Sequence, residues 1–393
     1  MKKIISMLLA LTLLLTLAAC GSKQAEEPVR HTVRIGVLEP LTGTKAPEGR
    51  RELLGVRYAQ SLTPSLSLAK EDYDMELVVA DCGSTVQSAL EAAAYLVEQG
   101  VCVVIGAYDS ELSLAAGPLF EENGIALIGV GCTGDALTGM GNYAFRLCLT
   151  EEQEVRALAD LIWERSGGAS LYLMSQEDGE WSEQAARLRS AYEDLGGTVV
   201  QDAVRTDTED LSVYFQRSET FRCHAVYLAL SPAMTALAAH QADAMGFTLP
   251  VYANHRIDDP RIPAAMSGNA LRLYATVYCR IPDGGKYAEG LRAYLEADME
   301  ALQLNGGFLE ACTLTALAGD AYDLVMETMR SAQSADKADL LARLPAVSWR
   351  GTSGLIRFDD SGAAKWESIW LRRADGGSGV WRMDGSFPLE SAQ

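Results

Sequence analysis

The residues of this chain best suited to hold a small anion are Ser110, Gly131 and Thr133, with Tyr108 and Asp109 beside the first of them. They fall in two short loops, Ala107 to Ser110 and Val130 to Asp135. Each loop follows an apolar run, Val101–Ile105 or Ile125–Ile128. Hydroxyls and free backbone N–H groups at the start of a helix form an anion-binding edge, because the first helical N–H groups have no partner within the helix. Ser110 opens a helical pattern with Leu112, Leu114, Ala115, Leu119 and Phe120 on one side, and taken alone such a serine reads as an N-cap. Gly129 to Gly134 also spells G-x-G-x-x-G. A dinucleotide site needs a long amphipathic helix beginning inside that motif, whereas Asp135 to Gly141 reads DALTGMG. The four histidines lie outside metal-ligand spacing, and C-x-x-C and G-x-S-x-G are both absent, so the chain reads as a binding protein without cofactor or metal rather than an enzyme.

Those loops need a scaffold, and the pattern around them supplies one. Val101 to Gly134 is one β-α-β unit, whose strands are parallel and whose C-terminal strand ends open on a common crevice. His31–Leu38 and Met75–Val79 read as buried strands, Gly49–Gln60 and Thr85–Gln99 as helices. After Phe145–Cys148 a second alternating series begins, with helices predicted over Glu151–Glu164 and Ser182–Leu195 and strands over Ser170–Met174, Thr198–Val200 and Ala225–Leu230. Leu271–Cys279 reads as a strand, Phe308–Arg330 as a long helix, and Gly354–Phe358 as a strand before a turn. Alternation of this kind argues for α/β architecture with mainly parallel sheets. With 48% hydrophobic residues the chain can fill two cores and is too long for one.

Lys2 and Lys3 precede an apolar run, Ile4–Ala19, that ends in Leu17-Ala-Ala-Cys20, the pattern of an export signal with a lipidated cysteine. Residues 1–19 read as signal peptide and 20–31 as lipid anchor and polar tether. Removing the signal takes away two lysines and no acid, which leaves a formal charge of −22. Such a surface repels nucleic acid and anionic headgroups, so the membrane is reached through the lipid only. Of the seven other cysteines, Cys102, Cys223 and Cys279 read as buried thiols. Cys82 and Cys132, at strand ends on one rim, are either free or paired.

Val33–Gly43, Glu76–Asp81, Leu96–Gly100, Val104–Gly106, Gly131–Thr133, Phe145-Arg146, Gly319–Asp323 and Gly351–Gly354 with Phe358-Asp359 resemble the leucine/isoleucine/valine-binding type of ABC-importer solute-binding protein. The resemblance runs from about Val33 to Trp370. It implies the type I periplasmic binding protein fold: two doubly wound, Rossmann-like lobes joined by a three-crossover hinge near Leu149, Cys279–Pro282 and Trp366–Ser368. The N-terminal lobe is then 32–149 with 282–366, and the C-terminal lobe 150–281 with 367–393. It also implies an amino-acid-like or amide-like ligand whose carboxylate meets Ser110, Gly131 and Thr133, and, as partner, an ABC permease with its ATPase served by a monomer. This chain departs from the pattern where the ligand is chosen. His255, beside Arg256, stands where amino-acid binders place the acid that receives the α-amino group. Glu48 and Ser231 stand where aromatics line the aliphatic pocket, and Trp181 follows Glu180 near the stacking tyrosine. The expected ligand is therefore a small polar carboxylate other than leucine, isoleucine or valine. A sensor or cell-envelope regulator on the same fold stays open on sequence alone.

Overall fold

A computed structural model describes residues 30–389 except 140, 178, 269 and 282–283. The signal peptide, Cys20 and nearly all of the tether lie outside the described residues, as does Pro282 of the expected second crossover.

Two sheets divide the chain. The first contains β1 (Arg30–Glu39), β2 (Ser65–Leu68), β3 (Glu71–Asp81), β4 (Val103–Gly106), β5 (Ala126–Gly129) and β6 (Ala144–Arg146), in the order β2-β3-β1-β4-β5-β6. All pairs are parallel except β2–β3. The second contains β7 (Ser170–Gln176), β8 (Thr198–Val204), β9 (Ala225–Ala229), β10 (Pro250–Ala253) and β11 (Arg272–Val277). After a small hairpin, β12 (Ser348–Arg350) and β13 (Leu355–Arg357), the strands β14 (Ser368–Asp375) and β15 (Val380–Pro388) join the second sheet antiparallel, giving β15-β14-β11-β10-β9-β7-β8. The parallel part of each sheet has the same doubly wound order, with the first strand between the second and third. Each sheet therefore has a switch point at its strand C-termini, the place where α/β sheets bind ligands.

The strands that read as apolar runs do so because both faces are covered. β4, β5 and β9 are buried at every position, and separate apolar clusters fill the two faces of each sheet. Helix Thr313–Ala332 returns to the first lobe, where Leu317, Ala321, Leu324, Val325 and Met329 join the core of β1, β4 and β5. It crosses helix Ala46–Leu62 so closely that a Cβ at Gly55 would collide with the Thr315 carbonyl. The long helix expected from Phe308 begins only at Thr313. Asp258, from the second lobe, accepts from both N and Oγ1 of Thr313, each at 2.7 Å, so a contact between lobes sets the helix start. Helices Lys286–Ala297 and Met299–Leu304 and hairpin β14–β15 were not among the expected elements.

Candidate functional site

The crevice lies between the strand C-termini of the two sheets, and its first wall is mostly backbone. β4 ends at Gly106, and the following loop carries buried Tyr108 and Asp109 into helix Ser110–Glu122. The cap of that helix is Asp109, not Ser110: Asp109 Oδ1 accepts the Leu112 N–H at 3.0 Å, and Ser110 is the first helical residue. A capping carboxylate leaves the Ser110 hydroxyl free to face the neighbouring loop, where its Oγ accepts from Gly134 N at 2.9 Å. Thr133 is buried, and its carbonyl accepts the Glu151 N–H at 3.1 Å. Gly131 is tightly enclosed. A Cβ there would stand 2.5 Å from Glu52 Oε1, 2.8 Å from Tyr108 Cδ2 and 2.9 Å from Leu314 Cδ2. The loop after Gly134 forms only the short turn Leu137–Gly139, so no dinucleotide helix follows.

Behind this wall two carboxyls are buried together. Glu39 and Glu52 are both fully enclosed, and Glu39 Oε2 accepts the Tyr108 N–H at 3.0 Å. Burial first, and then each carboxyl's proximity to the other, raises Glu39 well above the ordinary range, while burial pushes Glu52 up to about 8. If both were ionised, Glu39 Oε1 would have no donor, and Glu52 would have only the backbone N–H of Gly131 near it. A shared proton supplies one.

The second wall is built from long side chains. Trp181, near the start of helix Gly179–Asp194, is buried, and the Arg256 guanidinium lies 5.3 Å from its ring centroid. Arg256 Nη1 pairs with Glu180 Oε2 at 2.6 Å, and the same oxygen stands 3.6 Å from Lys45 Nζ of the first lobe. Lys45 is also bonded to Asp109. One chain of charges, Asp109, Lys45, Glu180 and Arg256, thus spans the crevice. Burial opposes ionisation of Glu180, but Arg256 and Lys45 outweigh it and hold the carboxyl below its usual range.

His255 does not stand free to receive a ligand. Glu154 Oε1 accepts its backbone N–H at 2.9 Å and the Thr276 hydroxyl at 2.6 Å, and Glu154 Oε2 lies 2.7 Å from Nδ1. The bridging proton belongs on Nδ1, which turns Nε2 away from Glu154. Burial alone would raise Glu154, but its His255 and Thr276 contacts hold it lowered. The ring lies against Tyr278 with centroids 4.6 Å apart.

The structure thus gathers Tyr108, Asp109, Ser110, Gly131 and Thr133 on one wall and Trp181 and His255 on the other. Glu48 also stands near the first wall, close enough to Tyr108 to act on it electrostatically. It is buried on helix Ala46–Leu62 toward Arg51, Asp259 and Arg261, and burial raises its carboxyl. Ser231 is committed to capping helix Pro232–Ala244 through Met234 N, while its own N–H donates to Gln176. Sequence reasoning missed Lys45, Glu154, Tyr227 and Tyr278, left Arg256 without a role, and read Glu180 only as one of several acids, with Glu48 and Asp109, able to accept an amine. Glu154 had a signal: it shares the apolar face of its helix with Val155, Leu158, Leu161 and Ile162. Cys82 and Cys132 are both free thiols, and burial pushes Cys132 up to about 12. No group of three metal-ligating side chains occurs among the described residues.

Two lobes of identical parallel order, crossed three times by the chain and facing each other across a crevice, define the type I periplasmic binding protein fold. The chain belongs to the periplasmic binding protein family, which it matches over residues 32–378. This is a family of binding proteins, not enzymes. A curated relative, the Leu/Ile/Val-binding protein homolog 3 of Brucella melitensis, is 22% identical over 79% of this chain and 82% of its own length. The leucine binding protein LivK of Thermotoga maritima superposes with TM-score 0.72 at 23% identity, covering 91% of this chain and 99% of that one. An ABC transporter solute binding protein of R. palustris, solved in complex with benzoate, gives TM-score 0.73 at 18% identity over 92% and 98%.

Proposed function

We propose that this chain is an extracytoplasmic, lipid-anchored receptor that captures a small carboxylate-bearing solute between its lobes and delivers it to an ABC permease with its ATPase. The observation that carries this reading is the first wall, where Ser110, Gly131 and Thr133 surround a helix N-terminus and two loop ends. An anionic oxygen placed there accepts from the Ser110 hydroxyl, whose oxygen goes on accepting the Gly134 N–H, and each charge-assisted hydrogen bond gained is worth about 1.5–3 kcal/mol. The lobes divide as 32–149 with 282–366 and 150–281 with 367–393, a division that sheet membership supports. Relatives named for leucine, isoleucine and valine differ from this chain in preference. The acid expected for their amine is replaced by His255, whose Nδ1 is already engaged by Glu154. The anchor at Cys20 is tested by detergent-phase partition of wild type against Cys20→Ser.

A thermal-shift screen of amino acids, amides, mono- and dicarboxylates tests the ligand. A ligand at about 100 times its Kd adds roughly 2.7 kcal/mol of stability. The best carboxylate is expected to lose most of its effect in Ser110→Ala and Thr133→Ala. Strong stabilisation by leucine, isoleucine or valine, or unchanged binding in both variants, refutes the reading.

A further inference from the structure

The second wall presents donors where an amino-acid receptor needs an acceptor. Glu154, the carboxylate nearest the His255 position, is used up by three hydrogen bonds within the wall. Glu151 is partly buried, and burial raises its carboxyl, which weakens it as a partner for an ammonium. Glu180 is ionised, but two cations share it. What remains are the guanidinium of Arg256, the hydroxyls of Tyr227 and Tyr278, and His255 Nε2, which is likewise buried without a partner among the described residues. Both hydroxyls are buried and have no hydrogen-bond partner. The guanidinium lies close enough to Tyr108, Tyr227 and Tyr278 to act on each of them electrostatically. Arg256 has five N–H donors and one close carboxylate oxygen, with only 18% of its side chain exposed. That oxygen comes from Glu180, a side chain 40% exposed and free to turn toward solvent.

Building on the carboxylate reading of the first wall, we infer that Arg256 is a specificity-determining residue that takes a second carboxylate of the ligand, and that Glu180 occupies its place until the ligand arrives. The ligand class is a small dicarboxylate spanning the crevice. One end meets the Ser110–Thr133 wall, and the other displaces Glu180 from Arg256 and accepts from the tyrosine hydroxyls. Glu180, released, keeps Lys45 as partner, so the exchange conserves ion pairs across the crevice. An ammonium at the same end would face a fixed guanidinium instead.

The test is calorimetric titration of the full mature protein with linear and aromatic dicarboxylates, the matching monocarboxylates and the matching ω-amino acids. In wild type the best dicarboxylate is expected to bind at least about tenfold tighter than either counterpart of the same length. Arg256→Gln should erase that gap, bringing the dicarboxylate Kd to that of the matching monocarboxylate in the same variant. Glu180→Gln, a milder change that keeps the side-chain shape, should tighten the dicarboxylate severalfold by removing its competitor. Equal binding of dicarboxylate and ω-amino acid, a gap that survives Arg256→Gln, or weaker dicarboxylate binding in Glu180→Gln overturns the inference. If monocarboxylates bind in a Ser110-dependent way without any gap, only the role of Arg256 falls. If no carboxylate binds wild type, the reading of the first wall falls with it.

Discussion

The two walls of the crevice are supported from behind by buried carboxyls in different protonation states. Glu39 and Glu52 share a proton beneath the Tyr108 and Gly131 loops, and burial keeps that pair from full ionisation. Glu154 is equally buried, yet three donors from His255 and Thr276 keep it charged. Burial is common to both, so it does not decide the charge; the donors within reach do. The consequence is a division of labour. A support that shares one proton carries one charge instead of two beneath the first wall, while a fully ionised support locks the His255–Ile257 turn from which Arg256 projects.

The largest effect is expected at Glu154. Glu154→Ala strands the His255 N–H, Nδ1 and the Thr276 hydroxyl, and should cost roughly 3–5 kcal/mol in urea unfolding, as breaking a buried ion-paired network does. A loss under about 1 kcal/mol would mean that the second wall has no fixed support.

Next in size is a pH effect of opposite sign at the two supports. Because the folded-state pKa of Glu52 is raised, its stabilisation is present below the ordinary carboxyl range and is lost as pH rises toward about 8. The lowered Glu154 contributes stability above its ordinary pKa and loses it as pH falls. Glu52→Gln should therefore gain on wild type, on the order of a few kcal/mol, between about pH 5 and pH 8.5. Glu310 and Asp323, raised to about 7 and about 6, have the same sign as Glu52 but are common to both proteins, so the difference reports the coupled Glu39–Glu52 pair. Parallel curves would break the contrast between the supports.

Gly131→Ala forces a methyl against Glu52, Tyr108 and Leu314 and should cost about 1–3 kcal/mol in thermal unfolding, with ligand binding lost. The smallest change sharpens the comparison most. Ser110→Ala and Ser231→Ala each remove one hydroxyl acceptor for a backbone N–H and should each cost about 1 kcal/mol. Only the first should weaken the ligand, and an equal loss of affinity in both would move the site away from the Ser110 loop.

What was legible in the sequence follows the same division. Runs buried on both faces, such as Val103–Gly106 and Ala126–Gly129, announce parallel strands, and the loops at their ends announce a crevice. The first wall was readable because it is made from residues next to each other in the chain. For the second, only Trp181 and His255 were reached, through the family resemblance, since Glu154, Glu180, His255 and Thr276 come from separate elements and meet only through packing. The start of helix Thr313–Ala332 was misplaced for the same reason, its first N–H being held by distant Asp258. Hairpin β14–β15 was overlooked although Ile369 and Leu371 point inward between less buried neighbours, a period-two signal at a sheet edge.

The seven thiols of the described residues bear on how the protein could be watched at work. All are free and buried, and burial raises every one of their pKa values. Modification by an aqueous thiol reagent therefore requires the surrounding structure to open first. Cys132 and Cys148, next to the first wall, and Cys279 and Cys312, beside the entry to helix Thr313–Ala332, are separate clocks for their own neighbourhoods. A solute that clamps the lobes should slow some of these clocks more than others, which turns labelling rates into a map of where the molecule loosens between one capture and the next.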